Sequence, residues 1–185
     1  NSISSDTVTC IYEDSENNLW ITTWGGGLNR FLQETGSFEH YRHNPKDKNT
    51  LANDTCLTIF EDRSNNLWLS IPNGLNLFNP QKKTFTHYKY LPEKPDRLSR
   101  RLFIIPLYED DTGLIWFFAG ADDWRPGTFG VFDPRQEKFF RYKEASNDPQ
   151  GSGDFNLHSL CQDHSGNVWI STYPRGIKKW NPLGQ

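Results

Sequence analysis

Apolar and polar positions alternate along this chain in short stretches, each closed by a polar or glycine-bearing segment. V-T-C-I-Y-E (8–13), C-L-T-I-F-E (56–61), I-I-P-L-Y-E (104–109) and L-H-S-L-C-Q (157–162) each stand directly before an aspartate. Ile11, Ile59, Leu107 and Leu160 precede that aspartate by three residues, and Tyr12, Phe60, Tyr108 and Cys161 by two. Neighbouring strand positions point to opposite faces, so the pattern predicts strands that are apolar on both sides and buried between two layers. No helical period of any length appears.

The stretches belong to a longer repeat. D-S-E-N-N-L-W (14–20), D-R-S-N-N-L-W (62–68), D-D-T-G-L-I-W (110–116) and D-H-S-G-N-V-W (163–169) align without gaps, with successive tryptophans 48, 48 and 53 residues apart. Each repeat divides into an inner strand before the aspartate, a second strand carrying the tryptophan, and a third at 27–31, 74–78, 128–132 and 176–180. A fourth ends in Tyr41, Tyr88 and Tyr142 and is missing from the last repeat. A unit of this length suits one four-stranded propeller blade. The expected fold is therefore all-β: antiparallel four-stranded blades forming a partial propeller of three full blades and an incomplete fourth. It forms one domain over 1–185, with blades near 1–41, 49–88, 97–142 and 152–185. From the tryptophan to the aromatic closing strand three the gaps are 11, 10, 16 and 11, which places an insertion in the third repeat within 119–130.

Composition supports this reading. Hydrophobic residues make up only 35% of the chain, but aromatics reach 15%, so the interior must be built largely from rings. With 14 Gly and 11 Pro the chain reads as turn-rich β structure. The net charge of −3 is dispersed, with no basic stripe for nucleic acid. No apolar run approaches the length of a membrane span, so direct insertion of this segment is not expected. Cys10, Cys56 and Cys161 lack metal or disulfide spacing and read as small buried thiols.

Asp14, Asp62, Asp110 and Asp163 read as the heads of tight turns, with Asn17, Asn65, Gly113 and Gly166 at the left-handed position. Trp20, Trp68, Trp116 and Trp169 read as core, wedged between blades. His40 and His87 fall on outer strands, and His43, His158 and His164 fit no ligand spacing. Neither metal nor cofactor is expected. No nucleophile elbow, metalloprotease, P-loop or dinucleotide motif appears, so no enzymatic activity is expected.

Read in order, V-x-x-I-x-E-D, a turn, L-W-I-x-T, G-L-N-R-F and F-x-x-Y resemble the two-component regulator propeller repeat. The resemblance is strongest at 8–41 and 56–88, good in the fourth repeat, and loosened in the third by the insertion and by Thr128 in place of glycine. It implies the periplasmic sensor region of a hybrid two-component histidine kinase or related receptor, often one detecting oligosaccharides. Alternatives of other classes are a protein-interaction or dimerisation scaffold and, less favoured, part of a propeller enzyme acting on glycans.

In a propeller the turns joining strands two and three share a face with the connectors between blades. Those turns hold Trp24, Asn73, then Asp122, Asp123, Trp124 and Arg125, then Tyr173 and Arg175, while Arg100 and Arg101 lie in a connector. Rings beside carboxylates and guanidinium groups suit a sugar, and these ten residues are the expected ligand contacts. The chain starts within the pattern and its last repeat lacks an outer strand. Its flanks are accordingly expected to meet other blades of a parent receptor or another copy of the chain.

Overall fold

The computed structural model describes residues 2–90, 102–121, 128–141, 156–163, 165, 167–173 and 176–180. Every element in it is a strand. The first sheet contains β1 (Val8–Glu13), β2 (Leu19–Thr23), β3 (Gly27–Leu32) and β4 (Ser37–Tyr41). The second contains β5 (Ile59–Glu61), β6 (Leu67–Ile71), β7 (Gly74–Asn79) and β8 (Thr84–Lys89). The third contains β9 (Leu102–Glu109), β10 (Ile115–Ala121), β11 (Thr128–Asp133) and β12 (Lys138–Arg141). The fourth has three strands, β13 (Asn156–Gln162), β14 (Val168–Tyr173) and β15 (Gly176–Trp180). Within each sheet the strands lie in chain order and are antiparallel, the meander of a propeller blade. Pro106 lies on the inner edge strand β9, beside a register shift that leaves Leu107 out of the ladder, a place where a missing N–H is tolerated.

Each β1–β2-type turn is set by its aspartate. Asp14 Oδ1 accepts the amides of Glu16 (3.0 Å) and Asn18 (2.7 Å), and Asp62, Asp110 and Asp163 accept the corresponding pairs at 2.9–3.1 Å. Asn17 (φ 64°), Asn65 (φ 61°) and Gly113 (φ 80°) take the left-handed conformation the turn requires. Gly166 lies outside the described residues. The second carboxylate oxygen does something the turn reading does not foresee. It accepts the indole N–H six residues on, at 2.7 Å for Trp20 and 2.8 Å for Trp68, Trp116 and Trp169. The aspartate thus satisfies the one polar atom of a ring that must otherwise enter the core.

The clamped indoles are where the sheets meet. Trp20 packs between Tyr41 of its own outer strand and Phe78 of the second sheet, with ring centroids at 6.0 and 5.4 Å. Trp68 repeats this between Tyr88 and Phe132 of the third sheet, both at 5.5 Å. Leu28, Leu75, Phe78 and Phe132 around them are fully buried. Polar contacts repeat with the same period. Glu61 on β5 accepts the Ser15 amide (2.9 Å) and hydroxyl (2.7 Å) from the first sheet's turn, and Glu109 on β9 accepts the Arg63 amide (2.6 Å) from the second's. Asn29 and Asn76 on the third strands accept the amides of Ser4 and Ala52, pinning each incoming connector. Gly74 is required for another reason, since a Cβ there would stand 2.3 Å from the Tyr88 carbonyl oxygen.

Three expectations need correction. Trp169 keeps its aspartate bond but is 38% exposed, because no described residue covers it as Phe78 covers Trp20. Ile11 is 64% exposed for the matching reason at the other end of the stack, whereas Ile59 at the same repeat position lies under the first sheet and is buried. Cys10, on the same strand as Ile11, is half-buried rather than sealed. Cys56 is fully buried, and burial pushes its thiol up to about 12.

Two outcomes follow. Asp62→Ala leaves the buried Trp68 indole N–H and two turn amides without acceptors, and should cost about 2–3 kcal/mol in denaturant unfolding. Asp62→Asn, which keeps one oxygen, should cost less. In acid, the clamp carboxyls of Asp14, Asp110 and Asp163 contribute to stability. Burial raises that of Asp14, but bonds from the Trp20 indole and Asn18 outweigh it; burial likewise opposes Thr112 and Trp116 at Asp110, and both carboxyls lie below the ordinary value of 3.8. The Trp169 indole and Asn167 hold Asp163 down to about 2. Carboxyls that bind protons less tightly when folded stabilise the fold above their unfolded pKa and lose that contribution as pH falls through the folded one. Tm should therefore hold down to about pH 5 and fall between about pH 4 and pH 2; a level profile through that window would contradict the assignment.

Candidate ligand-binding face

The connector end of the sheets is organised by a glycine turn. Trp24 follows β2, and its amide donates to the Thr7 carbonyl (2.9 Å) while its carbonyl accepts the Ser5 hydroxyl (3.2 Å). Gly25 (φ 83°) and Gly27 (φ 82°) adopt conformations that other residues rarely take. Gly26 is hemmed in as well, since a Cβ there would meet Ser4 Oγ at 2.5 Å. Gly27 donates to the Asp54 carbonyl at 2.7 Å, which ties the turn to the connector entering the second sheet.

Charged groups close one side of this turn. The Arg42 guanidinium donates to the Gly25 carbonyl (3.1 Å) and pairs with Asp54 Oδ2 (3.3 Å), while Asp54 Oδ1 accepts the His43 amide (2.7 Å). On the other side the Trp24 ring lies 5.9 Å from Phe103 at the start of β9, with the two planes tilted by 46°. Phe103 is buried, and Trp24 stays 38% exposed. The first and third sheets therefore meet at this end across the Trp24 and Phe103 rings.

Asn73 lies at the same end but has a different task. At φ 63° it turns β6 into β7, donates its amide to the Leu102 carbonyl (2.6 Å) and accepts from the Tyr90 amide (2.9 Å). Its side-chain oxygen accepts the Leu102 amide at 3.3 Å. With the Pro72–Phe103 bridge, this joins the second sheet to the third. Of the ten expected contacts, the structure thus brings Trp24 to the Phe103 ring and Asn73 to the backbone of the adjoining Leu102. The backbone of Tyr173 closes β14. Arg100, Arg101, Asp122, Asp123, Trp124, Arg125 and Arg175 lie outside the described residues, as do residues 122–127 of the 119–130 insertion.

The sequence reading did not single out Arg42, Asp54, Ser5 or Phe103. Their signal was present in part: Arg42 follows the tyrosine ending the outer strand, and Asp54 stands in a connector, the segments already expected to share the face with the turns. What no repeat comparison supplies is that the connector before the second sheet folds back onto the first sheet's glycine turn. The result pairs a half-exposed indole with a carboxylate–guanidinium pair and a hydroxyl around one small turn. Such a set can stack on the C–H face of a ring and hydrogen-bond its substituents. Among the described residues no three of His, Cys, Asp and Glu come together as a metal-binding group.

The histidines serve the connectors. His43 Nδ1 lies 2.7 Å from the Leu51 carbonyl oxygen and His87 Nε2 lies 2.7 Å from that of Thr50. A carbonyl only accepts, so both nitrogens carry protons and donate. They fasten successive residues of one connector beside an open hollow lined by His43, Lys46, Lys48 and His87. Both His40 and His87 are exposed on outer strands, as expected.

Comparison with known proteins agrees with this fold. Residues 2–25 and 150–173 match the two component regulator propeller family. These are the opening portions of the first and fourth repeats, whereas the pattern alone had favoured the first and second. The extracellular domain of BT3049 from B. thetaiotaomicron, assigned to a hybrid two component system, superposes on 99% of the chain with a TM-score of 0.57 and 19% identity. The extracellular domain of BT4673 from the same organism, assigned to a one component system, superposes on 97% with a TM-score of 0.67 and 17% identity. The chain spans 28% and 22% of the lengths of those two structures. A protein assigned as a gluconolactonase shares the fold over 96% of the chain, with a TM-score of 0.60 and 13% identity. No curated protein matches the sequence.

Proposed function

Since the chain carries two component regulator propeller repeats, we propose that it is part of the ligand-sensing propeller of a two-component-type signalling receptor, and that its ligand is an oligosaccharide. The repeat supports the receptor class, and the extracellular domains that share its fold support an extracytoplasmic location, which we read as periplasmic. Among the described residues no helix is long and apolar enough to cross a membrane.

The observation that carries the ligand class is Trp24. A half-exposed indole, backed by Phe103 on one side of a glycine turn whose other side carries the Arg42–Asp54 pair, offers a sugar an apolar platform with charged groups at the same turn. The reading is of binding rather than turnover. Ser5, Arg42 and Asp54 are engaged in holding the glycine turn, not set as a nucleophile beside a base. The gluconolactonase-assigned neighbour shares a fold, and a fold hosts many activities.

A thermal-shift screen of oligosaccharides tests the proposal, because a ligand that prefers the folded state raises Tm. Trp24→Ala should weaken binding of the active sugar about tenfold, a loss of about 1.4 kcal/mol, while Trp24→Phe retains most of it. An undiminished affinity in Trp24→Ala, or turnover of the bound glycan, would overturn the assignment.

A further inference from the structure

The hollow beside His43 and His87 belongs to a different segment from the Trp24 turn. It holds about 540 Å³, is open to solvent, and is shaped by residues 43–49 together with His87 on β8. The segment is kept in one form by its own bonds. The Asp47 amide donates to the Asn44 carbonyl (3.0 Å) and that of Thr50 to the Asp47 carbonyl (3.2 Å). Asn44 Oδ1 accepts the Lys46 amide (3.1 Å), Asp47 Oδ1 that of Asn49 (3.0 Å), and the Thr50 hydroxyl that of Asn44 (2.9 Å). The Phe85 amide, donating to the Asn49 carbonyl at 2.8 Å, fastens the segment to β8. A ligand entering the hollow therefore has little backbone left to order.

The charges around the hollow do not balance. Lys46 and Lys48 bring two ammonium groups against the single carboxylate of Asp47, and all three side chains are exposed. The other carboxylate of this connector, Asp54, is engaged by the Arg42 guanidinium and the His43 amide, and β8 carries no carboxylate at all. Each imidazole commits one N–H to a carbonyl, that of Leu51 for His43 and that of Thr50 for His87, so its second nitrogen is what it has left to offer the hollow. That nitrogen accepts on a neutral ring and donates on a protonated one. An anion between the rings would favour their protonated forms, adding two N–H donors and two positive charges to those of the lysines. A cation is disfavoured by the same two ammonium groups, and among the described residues no third metal-ligating side chain joins the imidazoles. We propose that this hollow binds a small oxyanion, a sulfate or carboxylate group, held by Lys46, Lys48 and the imidazoles of His43 and His87.

Solution NMR titrations of the 185-residue chain with sulfate and with glucuronate, at an ionic strength kept constant with chloride, test this. At about pH 5.5, where imidazoles are largely protonated, sulfate, glucuronate or both should shift the signals of residues 43–49 and His87 saturably. Saturation by sulfate alone identifies a free inorganic anion as the ligand, saturation by glucuronate an acidic sugar, and each upholds the site. Affinity should fall at least about tenfold by about pH 8, where the rings are neutral. Lys46→Gln combined with Lys48→Gln should weaken binding about tenfold, whereas Asp47→Asn, which keeps Oδ1 for the Asn49 amide, should tighten it about threefold. A gain of affinity cannot come from a disrupted loop. Saturation by neither anion, equal affinity at the two pH values, or an affinity unchanged in the double lysine variant would overturn the proposal.

Discussion

The structure depends on a single bond repeated four times: a carboxylate oxygen accepting an indole N–H six residues along the chain. A tryptophan ring is the largest apolar group available to a chain poor in aliphatic residues, but its N–H makes deep burial costly unless an acceptor comes with it. The aspartate supplies that acceptor locally, with the same side chain that shapes the turn between the first two strands. Ring, turn and strand register are thereby fixed together within seven residues. The indole that results is presented, already satisfied, to the Tyr of its own outer strand and the Phe of the next sheet.

From that constraint the rest of the stack follows. Sheets joined through clamped indoles have a fixed spacing, so the glutamate at the end of one inner strand reaches the turn amide of the sheet before it. The third-strand asparagines then hold the connectors at the opposite end, where Leu51 and Tyr90 enter the core from outside any strand. The candidate ligand face is a product of this anchoring. It forms where a pinned connector, carrying Asp54, is drawn against the Trp24 turn.

Much of this was legible in the sequence because it is periodic. The strands, the turn aspartates and the left-handed Asn17 and Asn65 all come from positions that recur. The roles of Glu61 and Asn29 recur too, yet a polar residue closing a strand gives no sign of whether it faces water or a neighbouring sheet. The site was less legible because it is made of what does not recur. Trp24 is matched by Pro72 in the second repeat, Arg42 and Asp54 meet only because one connector folds back, and Asn73 proves to be a fastening between sheets. Burial differed from expectation at Ile11 and Trp169 for a physical reason: strand pattern specifies which face is apolar, but a neighbouring sheet has to be there to cover it.

Hydrogen exchange of the indole N–H groups, followed residue by residue by solution NMR, tests the clamp most directly. Trp20, Trp68 and Trp116 are both bonded and buried, so their indole protons should exchange far more slowly than that of Trp24. The bonded but half-exposed Trp169 should lie between them. Equal and rapid exchange at Trp20, Trp68 and Trp24 would mean that the aspartates do not hold the rings, and the account of the sheet stack would fail with them.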